Sequence, residues 1–101
     1  MTIKLVKQPP DGAELRMEGR LDTTSAPAAQ EAFLKVAEEY AKILLDFSSL
    51  DYVSSAGLRA LLMLQKQVNR TGGSLTLTNV SPAIMEVFEM TGFSGILNIR
   101  E

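Results

Sequence analysis

The residues whose types could do chemistry are concentrated between Asp46 and Leu58, which reads Asp-Phe-Ser-Ser-Leu-Asp-Tyr-Val-Ser-Ser-Ala-Gly-Leu. Four serines, two aspartates and a tyrosine lie in this segment. It follows the uninterrupted apolar run Ile43-Leu44-Leu45 and precedes an amphipathic stretch, so it joins the end of a buried strand, at Asp46, to the start of a helix near Ser54 or Ser55. Ligands of parallel sheets bind at such junctions, where the first N–H groups of the helix point outward. Serine and aspartate are also the residues that any helix start selects as caps, and capping alone accounts for much of this composition. What the position favours beyond capping is a covalently attached anion. A phosphate on Ser55 would meet the first helical N–H groups, where the macrodipole contributes about 0.3–1 kcal/mol. Ser54-Ser55-Ala56-Gly57 is not a nucleotide-binding loop, because a phosphate-cradling loop needs several glycines and a lysine, and here one glycine stands alone.

The absent residues narrow the chemistry further. With no Cys and no His, the 101-residue chain lacks a Cys nucleophile, a Ser/His/Asp triad, a disulfide framework and a usual zinc site. Ten Lys and Arg against twelve Asp and Glu give a net charge of -2, scattered along the chain, so no direct nucleic-acid partner is expected. The first ten residues show no signal peptide, and the longest apolar run, Ala60 to Leu64, is far below the ~20 residues that span a bilayer. These features predict a soluble protein without membrane insertion, and the absence of Cys fits a reducing compartment, the cytoplasm. No cofactor and no metal site is indicated.

The elements that must position the serines follow from periodicity. Thr2 to Lys7 alternates as a strand, Pro9-Pro10-Asp11-Gly12 predicts a turn, and Ala13, Leu15 and Met17 alternate with Glu14, Arg16 and Glu18 as the return strand. A helix follows the capping residues around Asp22 to Thr24, with Ala29, Phe33, Val36, Ala37 and Tyr40 as its apolar stripe. The second helix runs to Arg70 and stops at Thr71-Gly72-Gly73; Gly57, Ala60, Leu61, Leu64 and Val68 form its inner face. Ser74 to Thr78 reads as a strand, Ser81-Pro82 opens a short helix that ends at Gly92, and Ile96 to Ile99 closes the chain as a strand. The order β-β-α-β-α-β-α-β predicts one α/β domain over residues 1–101, a sandwich with a mixed, mostly parallel sheet, an N-terminal hairpin and three main helices.

Asp46 to Leu58, together with Glu18-Gly19-Arg20-Leu21-Asp22 and Gly72-Gly73-Ser74-Leu75, resembles a stand-alone STAS domain of the anti-sigma factor antagonist type, over essentially the whole chain. The resemblance implies a non-enzymatic switch. The unphosphorylated domain binds an anti-sigma factor that is also a serine kinase, which releases the sigma factor. Phosphorylation at the start of the second helix breaks that complex, and a PPM-type serine phosphatase restores it. In sporulation-type members the loop reads Asp-Ser-Ser-Gly or Asp-Ser-Thr-Gly. Here Ser54 replaces the Asp, and Ala56 replaces the hydroxyl residue before Gly57. The acceptor role therefore falls to Ser55, with Ser54 as the alternative. Asp22 is implied to lie beside the serine loop, either as a carboxylate on the kinase-facing surface or as a turn residue; Asp46 has the same two readings, and Asp51 reads as solvated loop.

On the second helix, Arg59, Met63, Lys66 and Arg70 fall on one exposed stripe at ~100° per residue, opposite the buried face. A Met among cations is compatible with an adaptable partner surface, as well as with an ordinary solvated face. The expected partner-binding set is Asp22, Ser54, Ser55, Gly57, Arg59 and Met63. Two other classes compete with the switch: a small enzyme holding a divalent metal between Asp22, Asp46 and Ser55, and a STAS subunit of a membrane transporter or signalling scaffold.

Overall fold

The computed structural model describes residues 2–7 and 12–100. Strands β1 (Thr2–Lys7) and β2 (Gly12–Leu21) open the chain, followed by α1 (Ala26–Glu39), β3 (Lys42–Val53), α2 (Ser55–Thr71), β4 (Ser74–Thr78), α3 (Pro82–Thr91), a 3-10 turn at Phe93–Gly95 and β5 (Asn98–Arg100). This is the order expected from the sequence. Residues 9 to 11 of the expected turn lie outside the described residues.

The sheet runs β1-β2-β3-β4-β5, with β1 antiparallel to β2 and each later pair parallel. Every parallel strand is added on the same side of the last, so right-handed crossovers place all three helices on one face. The register identifies the residues beneath them: Leu15 opposes Leu45, Leu45 opposes Leu77 and Leu77 opposes Ile99. These leucines are buried in a single core with Phe33 of α1, Leu61 and Leu64 of α2, and Phe88 of α3. Phe88 meets Phe47 of β3 edge to face, with centroids 6.0 Å apart. The alternate row, Arg16, Asp46, Thr78 and Arg100, lines up across the opposite face of the sheet.

Tyr40, expected on the apolar stripe of α1, lies just past the helix as its extended C-cap, and three strand boundaries also differ from the sequence expectation. β2 continues past Glu18 to Leu21, with Gly19 at φ 98° as a backbone irregularity that a side chain would oppose. β3 does not stop at Asp46 but continues to Val53. Its register against β2 passes from Arg16↔Asp46 to Glu18↔Ser49, and from Gly19↔Leu50 to Arg20↔Tyr52, so β3 carries one extra residue at each step. Each bulge re-aims the strand and lengthens the spacing of buried residues from two to three. Phe47, Leu50 and Val53 are therefore buried while Ser48, Ser49, Asp51 and Tyr52 face solvent. Finally, β5 starts at Asn98 rather than Ile96, because the 3-10 turn after Gly92 takes up the preceding residues and the N–H groups of Ile96 and Leu97 both donate to the Phe93 carbonyl.

Candidate functional site: the serine-capped start of α2

β2 and β3 end together, at the pair Leu21↔Val53, and this end of the sheet carries most of the expected site residues. Ser54 is the N-cap of α2. Its hydroxyl accepts a hydrogen bond from the Gly57 N–H at 3.2 Å, and its carbonyl accepts from the Leu58 N–H at 2.9 Å. Its own N–H donates to the Leu21 carbonyl at 2.8 Å, which ties the start of the helix to the end of β2. The tie brings α2 so close to β2 that Gly57 has no room for a side chain: a Cβ there would lie 2.7 Å from both Leu21 Cγ and the Leu21 carbonyl oxygen.

Ser55 is the first residue of α2 and is exposed, and no described residue hydrogen-bonds its hydroxyl. Ala56, one residue on, is half-buried against the core and shares with Arg59 the α2 wall of a groove of about 570 Å³. The α1 side of that groove presents Ala26, Pro27 and Leu34, with Gln30 and Glu31 beside them. The position at which the sporulation-type pattern has a second hydroxyl thus faces α1 in this chain.

Asp22 leaves β2 as a turn residue. Its Oδ1 accepts from the Thr24 hydroxyl at 2.7 Å, from the N–H groups of Thr24 and Ser25 at 3.1 Å each, and from the Ser25 hydroxyl at 3.2 Å. The Thr24 hydroxyl, followed by the Ser25 N–H, lowers its pKa from 3.8 to about 2. The other carboxylate oxygen lies 3.7 Å from Arg20 Nε, and the Arg20 guanidinium stacks 4.3 Å above the centroid of the Tyr52 ring. This Arg20–Tyr52 pair escaped the sequence reading, since the two residues are neighbours only through the bulged β2–β3 register.

Asp46 belongs elsewhere. It is buried on the face of the sheet opposite the helices, where Arg16 Nε donates to Oδ2 at 3.1 Å, and the Ser48 N–H and Asn79 Nδ2 donate to Oδ1 at 2.9 and 3.0 Å. Burial raises its pKa, but the hydrogen bonds from Asn79, Ser48 and Arg16 outweigh that and hold it at about 2. Its β2 neighbour Arg16 precedes Asp22 by six residues, about 20 Å of strand. Asp22, Asp46 and Ser55 therefore do not converge, and the described residues contain no group of three or more carboxylates placed to hold a metal ion.

Along α2, Gly57, Ala60, Leu61, Leu64 and Val68 are buried, while Arg59, Met63, Lys66 and Arg70 are exposed, Met63 by 42%. The inner and outer stripes expected from the sequence are those found. No helix of the described residues is long and apolar enough to cross a membrane.

Fold and site together define a one-sided α/β sandwich that presents an exposed serine at the start of its central helix. The STAS domain model matches residues 3–101, and the chain belongs to the STAS domain family. It is 32% identical over 94 residues to the anti-sigma-B factor antagonist of Bacillus subtilis (strain 168), covering 93% of this chain and 86% of that protein. Among solved structures, the anti-sigma factor antagonist SpoIIAA in its unphosphorylated form matches with a TM-score of 0.77 at 18% identity, over 99% of this chain and 88% of that one. A sulfate transporter family protein from Wolinella succinogenes matches with a TM-score of 0.77 at 19% identity, over 89% and 74% of the two chains. At such identities the structural likenesses establish the fold alone.

Proposed function

We propose that this protein is a phosphorylation-gated, non-enzymatic partner switch of the cytoplasm. Unphosphorylated, it binds an anti-sigma factor that is also a serine kinase and so frees the sigma factor; a phosphate on Ser55 ends the complex, and a PPM-type serine phosphatase resets it. The observation that carries this reading is the contrast between two adjacent serines. Ser54 is committed to capping α2 through the Gly57 N–H, whereas Ser55 is exposed with its hydroxyl free of described partners. A kinase can reach Ser55 without dismantling a helix cap. The 32% identity to a Bacillus subtilis anti-sigma-B factor antagonist supports the class of partner.

In this reading Ser55, Arg59 and Met63 form the docking surface, bordered by Asp22 and Ser54, while Gly57, expected in the partner-binding set, is buried against Leu21 and supports that surface from beneath. Ser54 and Gly57 shape it, while Ser55, Arg59 and Met63 touch the partner. Asp22 holds the turn beside the site and adds negative charge there. The fold likeness to a sulfate transporter family protein favours a second reading, a domain serving a transporter. Binding of the purified chain to a serine-kinase anti-sigma factor of the same genome, followed by incubation with MgATP and phosphosite mapping, tests the proposal. Phosphate on Ser55 with release of the complex is expected; no binding, or no phosphorylation, favours the transporter reading.

A further inference from the structure

Positive charge is unevenly shared among the three helices. Arg59, Lys66 and Arg70 stand on α2 without a single aspartate or glutamate, whereas α1 sets Glu31, Glu38 and Glu39 against Lys35, and α3 carries Glu86 and Glu89 with no cation. The chain as a whole is at -2, so α2 is a cationic element in an acidic protein. At ~100° per residue its three cations share a sector about 80° wide with Ser55 and Met63, and all five residues are exposed. None of the three cations forms an ion pair with a described residue; Arg70 reaches only Gln67 Oε1, at 3.5 Å, and Glu31 lines the groove beside Arg59 without pairing to it. From Ser55 to Arg70 the ridge runs about 22 Å at 1.5 Å per residue.

We propose that this ridge docks an acidic surface of a protein partner, extending from Ser55 to Arg70. The inference rests on the partner-switch reading and adds to it the chemistry of the partner's face. Charge complementarity names that face. Three cations in one line are few for a nucleic acid or an anionic bilayer, whose affinity accumulates over many phosphates or headgroups. An exposed thioether between Arg59 and Lys66 suits a protein surface with an apolar patch among its carboxylates. Exposed cations of this kind act mainly on the rate of encounter and its salt dependence, and less on the lifetime of the complex.

The experiment measures association and dissociation rates of the full chain with the serine-kinase anti-sigma factor between 25 and 400 mM NaCl. It compares wild type, Lys66→Gln/Arg70→Gln and Lys66→Glu/Arg70→Glu. Wild-type association should fall steeply with salt, and at low salt the charge reversal should slow it about tenfold, the neutral variant by less, with dissociation nearly unchanged. Both variants are checked by their thermal midpoints, and the neutral pair keeps the test valid if the reversed pair unfolds. Salt-independent association, or variants as fast as wild type, overturns the ridge proposal alone. Wild type that binds the kinase at no salt concentration overturns the switch reading as well. Binding of wild type, but not the reversed variant, to phosphatidylserine vesicles or to a 20-base-pair duplex reassigns the ridge to a polyanion and overturns the acidic-protein proposal.

Discussion

Gly57 sits against Leu21 at a distance that excludes any side chain, with the space for a Cβ lying 2.7 Å from both the Leu21 Cγ and the Leu21 carbonyl oxygen. That carbonyl also accepts the Ser54 N–H, so one backbone oxygen fixes both the cap and the first turn of α2. Gly57→Ala should therefore cost stability despite the better helix propensity of alanine. Overpacking costs about 1–3 kcal/mol and the propensity gain returns up to about 1. A net loss of about 1–2 kcal/mol lowers the thermal midpoint by roughly 4–15 °C in a domain of this size. Circular-dichroism melts measure it, and an unchanged midpoint would show that the helix start shifts freely.

The Asp46 cluster makes a prediction about pH. Its carboxyl has a folded pKa of about 2 against an ordinary 3.8, so the folded state binds the proton less readily than the unfolded chain. The stabilisation is complete above the unfolded value and is lost as pH falls through the folded one, a window between about pH 5 and pH 2. Its size is about 2 kcal/mol by linkage. Asp22, also lowered to about 2, titrates in the same window. Urea unfolding from pH 7 to pH 2 should show wild type weakening below pH 5. Asp46→Asn should be weaker at pH 7 and flatter over that range; an equally steep variant would mean that other carboxylates carry the acid sensitivity.

Helix α2 was legible in the sequence because its stripes obey a single period: Gly57 to Val68 inward, Arg59 to Arg70 outward. β3 was legible only in its first half. From Phe47 onward two bulges space the buried residues by three, a pattern that belongs to neither a regular strand nor a helix, and serines and aspartates on the exposed positions make it read as a loop. Asp46 consequently looked like the end of a strand near the serines. It is an interior strand residue paired with Arg16, thirty positions away, and no local pattern announces that partner. The Arg20–Tyr52 stack was hidden for the same reason, since the bulges decide which residues of β2 and β3 face each other. The cap at Ser54 was legible because capping depends on neighbours in sequence.

If α2 is the docking element, Arg59 and Met63 contribute through their exposed ends. Replacing both by Ala removes one cation and one flexible apolar side chain without opening the core, since both residues are exposed. Stability should change within about 0.5 kcal/mol, while affinity for the kinase partner falls by tenfold or more. Calorimetric titration beside a thermal melt separates the two effects. Affinity equal to wild type would leave this stripe a solvated face.

Ser54 and Ser55 should separate cleanly under mutation, because one holds the helix and the other is free of it. Ser54→Ala removes the hydroxyl that accepts the Gly57 N–H, a capping loss of about 1 kcal/mol, and the protein should remain a kinase substrate. Ser55→Ala leaves the cap intact, and it should bind the partner constitutively and resist phosphorylation. A phosphate on Ser55 can be accommodated in the free domain at the helix N-terminus. In the complex the same group, at about -1.5 to -2, would have to be desolvated against a surface fitted to a neutral hydroxyl. A mismatch of about 4 kcal/mol lowers affinity on the order of a thousandfold. Ser55→Asp, with less charge, should stay folded and bind weakly. Mass-spectrometric site mapping after MgATP, with binding curves for the three variants, decides the matter: phosphate on Ser54 moves the switch by one residue, and a Ser55→Ala protein still released by ATP eliminates it.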